Sequence, residues 1–302
     1  VGKWVMIITA VILFFTPLRL VSAKEQPMRV HFIDVGQADC ILIQTPQQKN
    51  ILIDAGDMRS GSKIVQYLKS HGVMTLDALI ATHPHHDHIG SMPDIIYNFK
   101  VKAFYMPNLT NNTRSYKLLR QAIKDEKIMV FNAKAGNKIE VEPNISINIV
   151  GPLKGRYDSM NDYSYVLKLV YKKNSFLLMA DAGEQSETEL LSRGMNVKAN
   201  IIKIGHHGAD TGSTLPFLKK VNPDAAVISV GRHNPWGYPK RAVINRLKYL
   251  KVPTYRTDRL GSIVATSDGR SIHFTYEESK RTDPSSIYFD RRSIIKKVNT
   301  GK

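Results

Sequence analysis

Thr82-His83-Pro84-His85-His86-Asp87-His88 packs four histidines and one aspartate into six residues. Imidazole nitrogens and a carboxylate at this density are ligands for zinc, manganese or iron in nitrogen and oxygen geometry. The stretch follows an apolar run at 76–81 that reads as a buried strand. A loop leaving a strand end lets His83 and His85 point one way and Asp87 and His88 another. A His-rich surface loop without metal is the plainer alternative, and the H-x-H-x-D-H spacing speaks against it. Cys40 is the single cysteine of the chain, which excludes an internal disulfide and a Cys-rich zinc site. A bound metal must therefore rest on His, Asp and Glu.

The elements that must position these residues alternate short β-like runs with helical spacing. Segments 29–33, 40–44 and 50–53 read as three successive strands separated by turn-rich sequence. Ile64, Val65 and Leu68 mark a helix over 62–71. Further strands are expected at 102–105, 128–131, 138–141 and 145–150, and 165–171 with 175–180 read as a hairpin turning at Lys173-Asn174. Later strands fall at 201–204, 225–230 and 254–256, with helices at 184–192, 214–221 and 241–250. A last hairpin pairs 262–266 with 272–276 about Asp268-Gly269. No repeat or long linker interrupts this pattern, so one mixed α/β domain is expected over 24–276.

H-x-H-x-D-H is the defining motif of the metallo-β-lactamase superfamily, and the chain resembles that family. The resemblance implies an αββα sandwich with a metal site along one edge. It implies two divalent ions, zinc or manganese, one on His83 and His85 and the other on Asp87 and His88, with a carboxylate between them. Asp181, in Met179-Ala180-Asp181-Ala182-Gly183, is the bridge so implied; its plainer role is the N-cap of the helix at 184–192. The final ligand is expected from Ile204-Gly205-His206-His207-Gly208, where one histidine coordinates and the other orients or contacts substrate. His206, first off the strand, is expected as the ligand, and His207 joins Asp87 as a catalytic residue. No histidine lies between His88 and Asp181, and Asn161 stands where the family's remaining histidine belongs. An amide oxygen is a weaker, harder ligand than imidazole and favours a labile or manganese-type site. Asp162 competes for that position.

His31-Phe32-Ile33-Asp34-Val35-Gly36-Gln37-Ala38-Asp39 is similar to the H-F-x-D-V-G-Q-G-D opening of the hydrolase domain of ComEC-type DNA-uptake channel proteins. Ile51-Leu52-Ile53-Asp54-Ala55-Gly56, the Asn161-Asp162 segment, His206-His207-Gly208, Ile228-Ser229-Val230-Gly231 and Tyr255-Arg256-Thr257-Asp258 fit the same pattern. Ala38 departs from it where the opening has a second glycine, and Tyr238 stands where a histidine often precedes proline. Gly36 and Gly56 permit tight turns at strand ends. Asp34 and Asp54 either cap loops or hydrogen-bond the ligand histidines from behind, and the second role is expected above all for Asp54.

Hydrolysis is the reaction expected. Two ions a few ångström apart would hold a water between them and bring its pKa from about 15.7 towards 7, giving a bridging hydroxide. Neither a G-x-S-x-G elbow nor a Gly-rich phosphate loop offers a rival nucleophile or site. The chain carries 43 Lys and Arg against 26 Asp and Glu, a formal charge of +17, which suits a polyanion. With the ComEC-type resemblance, this makes DNA the expected phosphodiester substrate. Arg232, Lys240, Arg241 and Arg259, with Tyr238 beside them, are candidate phosphate contacts; each could equally be a solvated side chain. Other readings are a phosphoesterase on cell-wall substituents, a lactonase or an amide hydrolase, and a DNA-binding module without turnover.

A hydrophobic content of 42% with 23% charged residues excludes a mainly disordered chain and a polytopic membrane protein. Lys3, the apolar run from Trp4 to Phe15 and Val21-Ser22-Ala23 have the pattern of a secretory signal peptide over 1–23. Export with cleavage is expected, the alternative being an uncleaved N-terminal membrane anchor. Residues 277–302 read as a basic, solvated C-terminal tail.

Overall fold

Along β1 (Met28–Phe32), Met28, Val30 and Phe32 enter a central core while His31 turns to the opposite side, towards Tyr67. The computed structural model describes residues 26–276, and the expected signal peptide 1–23 and tail 277–302 lie outside the described residues. The alternation continues through β2 (Ile41–Gln44) and β3 (Asn50–Ile53), with Ile41, Ile43, Ile51 and Ile53 inward and Leu42 and Leu52 outward. Then follow α1 (Gly61–Ser70), β4 (Thr75–Leu76), β5 (Ala78–Ile80), α2 (His86–Ile89), α3 (Met92–Asn98), β6 (Lys100–Val101), β7 (Phe104–Tyr105), α4 (Arg114–Asp125) and β8 (Val130–Phe131). The second half contains β9 (Lys138–Glu142), β10 (Ile145–Gly151), β11 (Val166–Tyr171), β12 (Asn174–Leu178), α5 (Glu184–Ser192), β13 (Ile201–Lys203), α6 (Leu215–Val221), β14 (Ala225–Ile228), α7 (Arg241–Tyr249) and β15 (Thr254–Arg256). The short α8 (Thr257–Leu260) leads to β16 (Ile263–Ser267) and β17 (Ile272–Tyr276).

These strands form two main sheets, one ordered β17-β16-β1-β2-β3-β5-β7-β8 and the other β15-β14-β13-β12-β11-β10-β9. Each is antiparallel on one side and parallel on the other, with β3, β5, β7 and β8 parallel in the first and β12 to β15 parallel in the second. The sheets face each other across the central core. Ile64, Leu68, Met92, Ile95 and Leu119 cover the outside of the first sheet, and Leu190, Phe217, Leu218, Val243 and Leu247 that of the second. The layers are therefore α, β, β and α, the architecture expected from the H-x-H-x-D-H resemblance.

Three local features differ from the sequence reading. The run at 76–81 is broken at Asp77, because Thr75–Leu76 pairs with β6 while Ala78–Ile80 pairs with β3 and β7. The Asp77 carboxylate fixes the break by accepting from the Asn50 N–H and from Lys102 Nζ, at 2.9 and 2.8 Å. The hairpin turns at Lys172-Lys173, one residue early: Lys172 takes φ 52°, and Asn174 is in the strand, buried, accepting from the Ser267 hydroxyl at 2.7 Å. Helices α3 and α4 were not foreseen. Among the described residues, no helix is long and apolar enough to cross a membrane.

Candidate metal centre

The chain leaves β5, β12 and β13 at neighbouring strand ends, and each exit delivers charged or imidazole side chains to one place. After β5, Thr82 leads into His83, His85 and α2, whose first turn holds Asp87 and His88. Gly90 lets α2 lie against the preceding loop, since a Cβ there would stand 2.4 Å from the His86 carbonyl oxygen and 2.5 Å from the Met58 nitrogen. After β12 a turn through Ala180, at φ 46°, presents Asp181; after β13, His206 and His207 follow in succession at φ 46° and 54°. Asp54, at the end of β3, is also left-handed at φ 57°. Non-glycine residues in this region cost about 1–3 kcal/mol each, and persist where the surrounding structure over-determines them. Here they surround a single cluster.

Asp181 is the hinge of that cluster. Its Oδ1 lies 3.2 Å from His88 Nε2 and 3.8 Å from His207 Nε2, while Asp87 Oδ2 is 3.1 Å from His207 Nε2. Its Oδ2 lies 3.8 Å from His83 Nε2, which is itself 3.0 Å from His85 Nδ1. Two groups of potential ligand atoms thus meet at one carboxylate: Asp87, His88, Asp181 and His207 on one side, and His83, His85 and Asp181 on the other. All but Asp87 and His85 are buried.

The histidines are held from behind. His88 Nδ1 is 2.7 Å from Asp54 Oδ2, and that carboxylate also accepts from the Thr82 N–H and hydroxyl at 2.9 and 2.7 Å. His83 Nδ1 stands 3.2 Å from both the Thr82 and Ser164 hydroxyls. His207 Nδ1 is 3.0 Å from the Ser229 carbonyl oxygen and 3.5 Å from Asp39 Oδ1. These contacts leave the opposite ring nitrogens of His88 and His207 directed at Asp181, the arrangement that orients imidazoles for a metal.

Burial pushes the pKa values of His83, His85 and His206 down, so these rings are neutral and present lone pairs. For His88 and His207 burial acts in the same sense but is outweighed, chiefly by Asp181, and both are raised. Burial would lift the Asp87 and Asp181 carboxyls, yet His88 and His207 hold both below the usual range. Asp54 is raised by burial despite its bond to His88.

The donor set fits a divalent cation. His88 Nε2 and Asp181 Oδ1 are buried and close, yet lack the alignment of a hydrogen bond, and both remain without a hydrogen-bond partner. Asn161 Oδ1 is likewise buried and unpartnered. Nitrogen and carboxylate atoms that converge without bonding one another are what a cation needs and what a polar core avoids.

The order of the two adjacent histidines is the reverse of that expected. His207, not His206, supplies an atom to the four-residue group, because the paired left-handed residues turn the second ring inward. His206 stands at the mouth, with Nε2 3.9 Å from Asp181 Oδ2 and Nδ1 3.4 Å from Asn161 Nδ2. Asn161 therefore lies beside His206 at the rim. Asp162 points away: its Oδ1 accepts from the Gly183 and Ser186 N–H groups at 2.9 and 3.1 Å and so caps α5. The N-cap of α5 is Gly183, not Asp181.

Asp34 does not stand behind a ligand histidine. Its Oδ1 accepts from the Gly36 N–H at 3.2 Å and its Oδ2 lies 3.6 Å from Lys63, so it stabilises the loop after β1. Asp39, which the sequence reading left without a role, occupies the position behind His207. It is paired with Lys203, a wholly buried lysine that also donates to the Ala180 carbonyl at 3.1 Å. A lysine in the apolar strand Ile201-Ile202-Lys203 is the signal that could have found it.

Of the expected substrate contacts, Tyr238 is nearest, its ring centroid 5.6 Å from that of His206. Gly208 permits this approach, because at φ +84° its missing Cβ would meet the Pro239 Cβ at 2.5 Å. Lys240 Nζ donates to the Trp236 carbonyl at 2.7 Å and lies 5.3 Å from the centre of the Tyr238 ring. Arg241 is exposed at the start of α7, Arg259 is exposed on α8, and Arg232 Nε donates to the Asp258 carbonyl at 3.2 Å.

The profile of a family described as the Metallo-beta-lactamase superfamily matches residues 33–232. ComE operon protein 3 of Bacillus subtilis is 28% identical over 276 residues, which cover 84% of this chain and 35% of that protein. A hydroxyacylglutathione hydrolase of Vibrio parahaemolyticus is 36% identical over 255 residues, covering 82% of this chain and 90% of the hydrolase. The solved structure of a CmlA beta-hydroxylase variant is similar in fold, with a TM-score of 0.50 at 14% identity over 76% of this chain and 52% of that one. The chain spans about a third of the length of the ComE protein it matches.

Proposed function

The chain belongs to the metallo-beta-lactamase superfamily, and from this premise we propose that it is a secreted, metal-dependent phosphodiesterase that acts on DNA. The observation that carries the reading is the Asp181 carboxylate shared between the His83–His85 pair and the Asp87–His88–His207 group. His83, His85, Asp87, His88, Asp181 and His207 would hold two divalent ions, zinc or manganese, which would supply the charge to acidify a water and offset negative charge on a phosphoryl oxygen.

The side chains do the rest. Asp54 and Asp39 keep His88 and His207 oriented, and the buried Lys203 balances the charge of Asp39. Asp87, the more accessible carboxylate of its group, faces His207, stays ionised, and is placed to accept a hydrogen bond from the attacking water. Neutral His206, with Asn161 and Tyr238 beside it at the rim, is placed to contact the substrate. The choice of DNA is supported by the likeness to ComE operon protein 3 and by the charge of +17. Export rests on the signal-peptide pattern of residues 1–23, with an uncleaved anchor as the alternative.

The test is cleavage of plasmid and single-stranded DNA by the full chain with manganese or zinc, beside an Asp87→Ala/His88→Ala control. The expected result is cleavage that EDTA and the double substitution both abolish. Metal binding without cleavage of either DNA would overturn the substrate assignment. The likeness to a hydroxyacylglutathione hydrolase favours a second reading, thioester hydrolysis at the same centre, and a glutathione thioester belongs in the same assay.

A further inference from the structure

Arg114, Lys117, Arg120, Lys124 and Lys127 recur at spacings of three and four residues along and just beyond α4. Such spacing sets side chains on one helix face. All five are exposed, and among the described residues none pairs with a carboxylate. Asp125, on the same helix, is occupied by the Tyr97 hydroxyl at 2.9 Å and by Gln121 Nε2 at 2.7 Å. Like charges at this spacing repel one another and weaken a helix. An arrangement that costs stability in this way is relieved by a bound anion that runs along it.

The surroundings give the row a direction. Lys117, Arg120, Lys124 and Lys127 line an open groove of about 830 Å3 together with Tyr116 and Asn111. Asn111 Nδ2 donates to the Pro84 carbonyl at 2.9 Å, inside the loop that carries His83 and His85. Helix α4 packs against α2, which bears Asp87 and His88. The groove therefore begins beside the metal centre. From Arg114 to Lys124 the helix advances about 15 Å, enough for several consecutive phosphates. Tyr116, half-buried against the core with its hydroxyl bonded to the Leu109 carbonyl at 3.1 Å, turns the remaining part of its ring to the groove, where a base can stack on it.

We propose that this face of α4 is the track along which a DNA strand reaches the metal centre. The inference rests on the phosphodiesterase reading and deepens it, because it places the polyanion on α4 and not on the arginines near α7 and α8. Cationic side chains there neutralise phosphates, and Tyr116 makes the track one for nucleic acid rather than for a polyanion without bases.

The test reads binding, not turnover. Fluorescence anisotropy of a labelled oligonucleotide, single-stranded and duplex, is measured with the full chain in EDTA over a range of salt. Three proteins are compared: wild type, Lys117→Glu/Arg120→Glu/Lys124→Glu, and Lys219→Glu/Lys220→Glu/Lys248→Glu, which reverses the same charge in the opposite helix layer. Thermal unfolding verifies that each is folded. The α4 variant is expected to bind about tenfold or more weakly, with the slope of log affinity against log salt shallower by about 2. The control variant is expected to change by less than about twofold. Tyr116→Leu is expected to lose about fivefold for the single strand and to leave binding of poly(glycerol phosphate) unchanged. Wild-type binding that survives the α4 substitutions overturns the track while the phosphodiesterase reading stands. A wild type that binds no DNA overturns both. Tighter binding of poly(glycerol phosphate) than of DNA overturns the nucleic-acid assignment.

Discussion

Asp54 accepts three hydrogen bonds on two carboxylate oxygens, from the Thr82 N–H, the Thr82 hydroxyl and His88 Nδ1. By bonding Nδ1 it fixes which nitrogen of His88 faces Asp181. Asp54→Asn is therefore expected to lower metal affinity about 10–100-fold, measured by competition with a chromophoric chelator. Asp34→Asn makes the same charge change at a carboxylate whose partners are the Gly36 N–H and Lys63, and is expected to leave the affinity unaltered. If both substitutions act alike, the effect is one of net charge and not of orientation. His207→Ala is expected to lose one equivalent of bound metal, whereas His206→Ala keeps the full metal content and loses turnover, which elemental analysis and a cleavage assay separate. At this scale the sequence was most readable where the ligands are local. His83, His85, Asp87 and His88, grouped by their spacing in the sequence, also converge around Asp181 in the structure. The roles of His206 and His207 depend on two consecutive left-handed residues, and no pattern of residue types foretells that backbone. Asp39 and Lys203 come together from separate segments, so their pairing is visible only once the strands are in place.

Between residues and the whole molecule, the junction of α5 and α6 offers a pH-dependent test. Glu187 on α5 accepts from the Ser213 and Thr214 N–H groups at 2.5 and 2.9 Å, tying the start of α6 to α5. Burial lifts its carboxyl to about 7, against the opposing pull of those N–H groups and of Arg246. An unfolded glutamate titrates near 4.5. Between these two values the folded protein keeps a proton that the unfolded chain releases, so stability is greatest below the unfolded value and is lost as pH rises through 7. The full effect is on the order of 3 kcal/mol. Glu187→Gln mimics the protonated side chain and removes this dependence. The unfolding temperature of the variant relative to wild type is expected to rise between pH 5 and pH 8, and a difference constant with pH would count against the assignment. Legibility differed among elements for a related reason. Strands β1 to β3 are short apolar runs bounded by turn-rich sequence, with β2 and β3 buried on both faces, and were placed to within a residue or two. Helix α4 escaped because its buried stripe is only Ser115, Leu119, Ala122 and Ile123, and the charged residues between them mask the period.

The metal centre draws on both sheets of the molecule. His83, His85, Asp87 and His88 follow β5 of the first sheet, whereas Asp181 and His207 follow β12 and β13 of the second. The edges of the two sheets meet there through buried carboxylates and imidazoles, with His88 Nε2 and Asp181 Oδ1 left without hydrogen-bond partners. A divalent ion that bonds to residues of both sheets ties these edges together, and it binds the folded chain far better than the unfolded one. At a free concentration 100 times its dissociation constant, such a ligand stabilises by about 2.7 kcal/mol. For a domain of this size that amounts to a rise in unfolding temperature on the order of 5–10 °C. Manganese or zinc is expected to produce a rise of this order in differential scanning fluorimetry, and EDTA to reverse it. Asp181→Asn removes the carboxylate common to both ligand groups and is expected to abolish most of the rise. His206→Ala, at the rim, is expected to retain it. The same rise in wild type and Asp181→Asn would mean that the stabilising ion binds elsewhere, and that the two sheets are held by their central core alone.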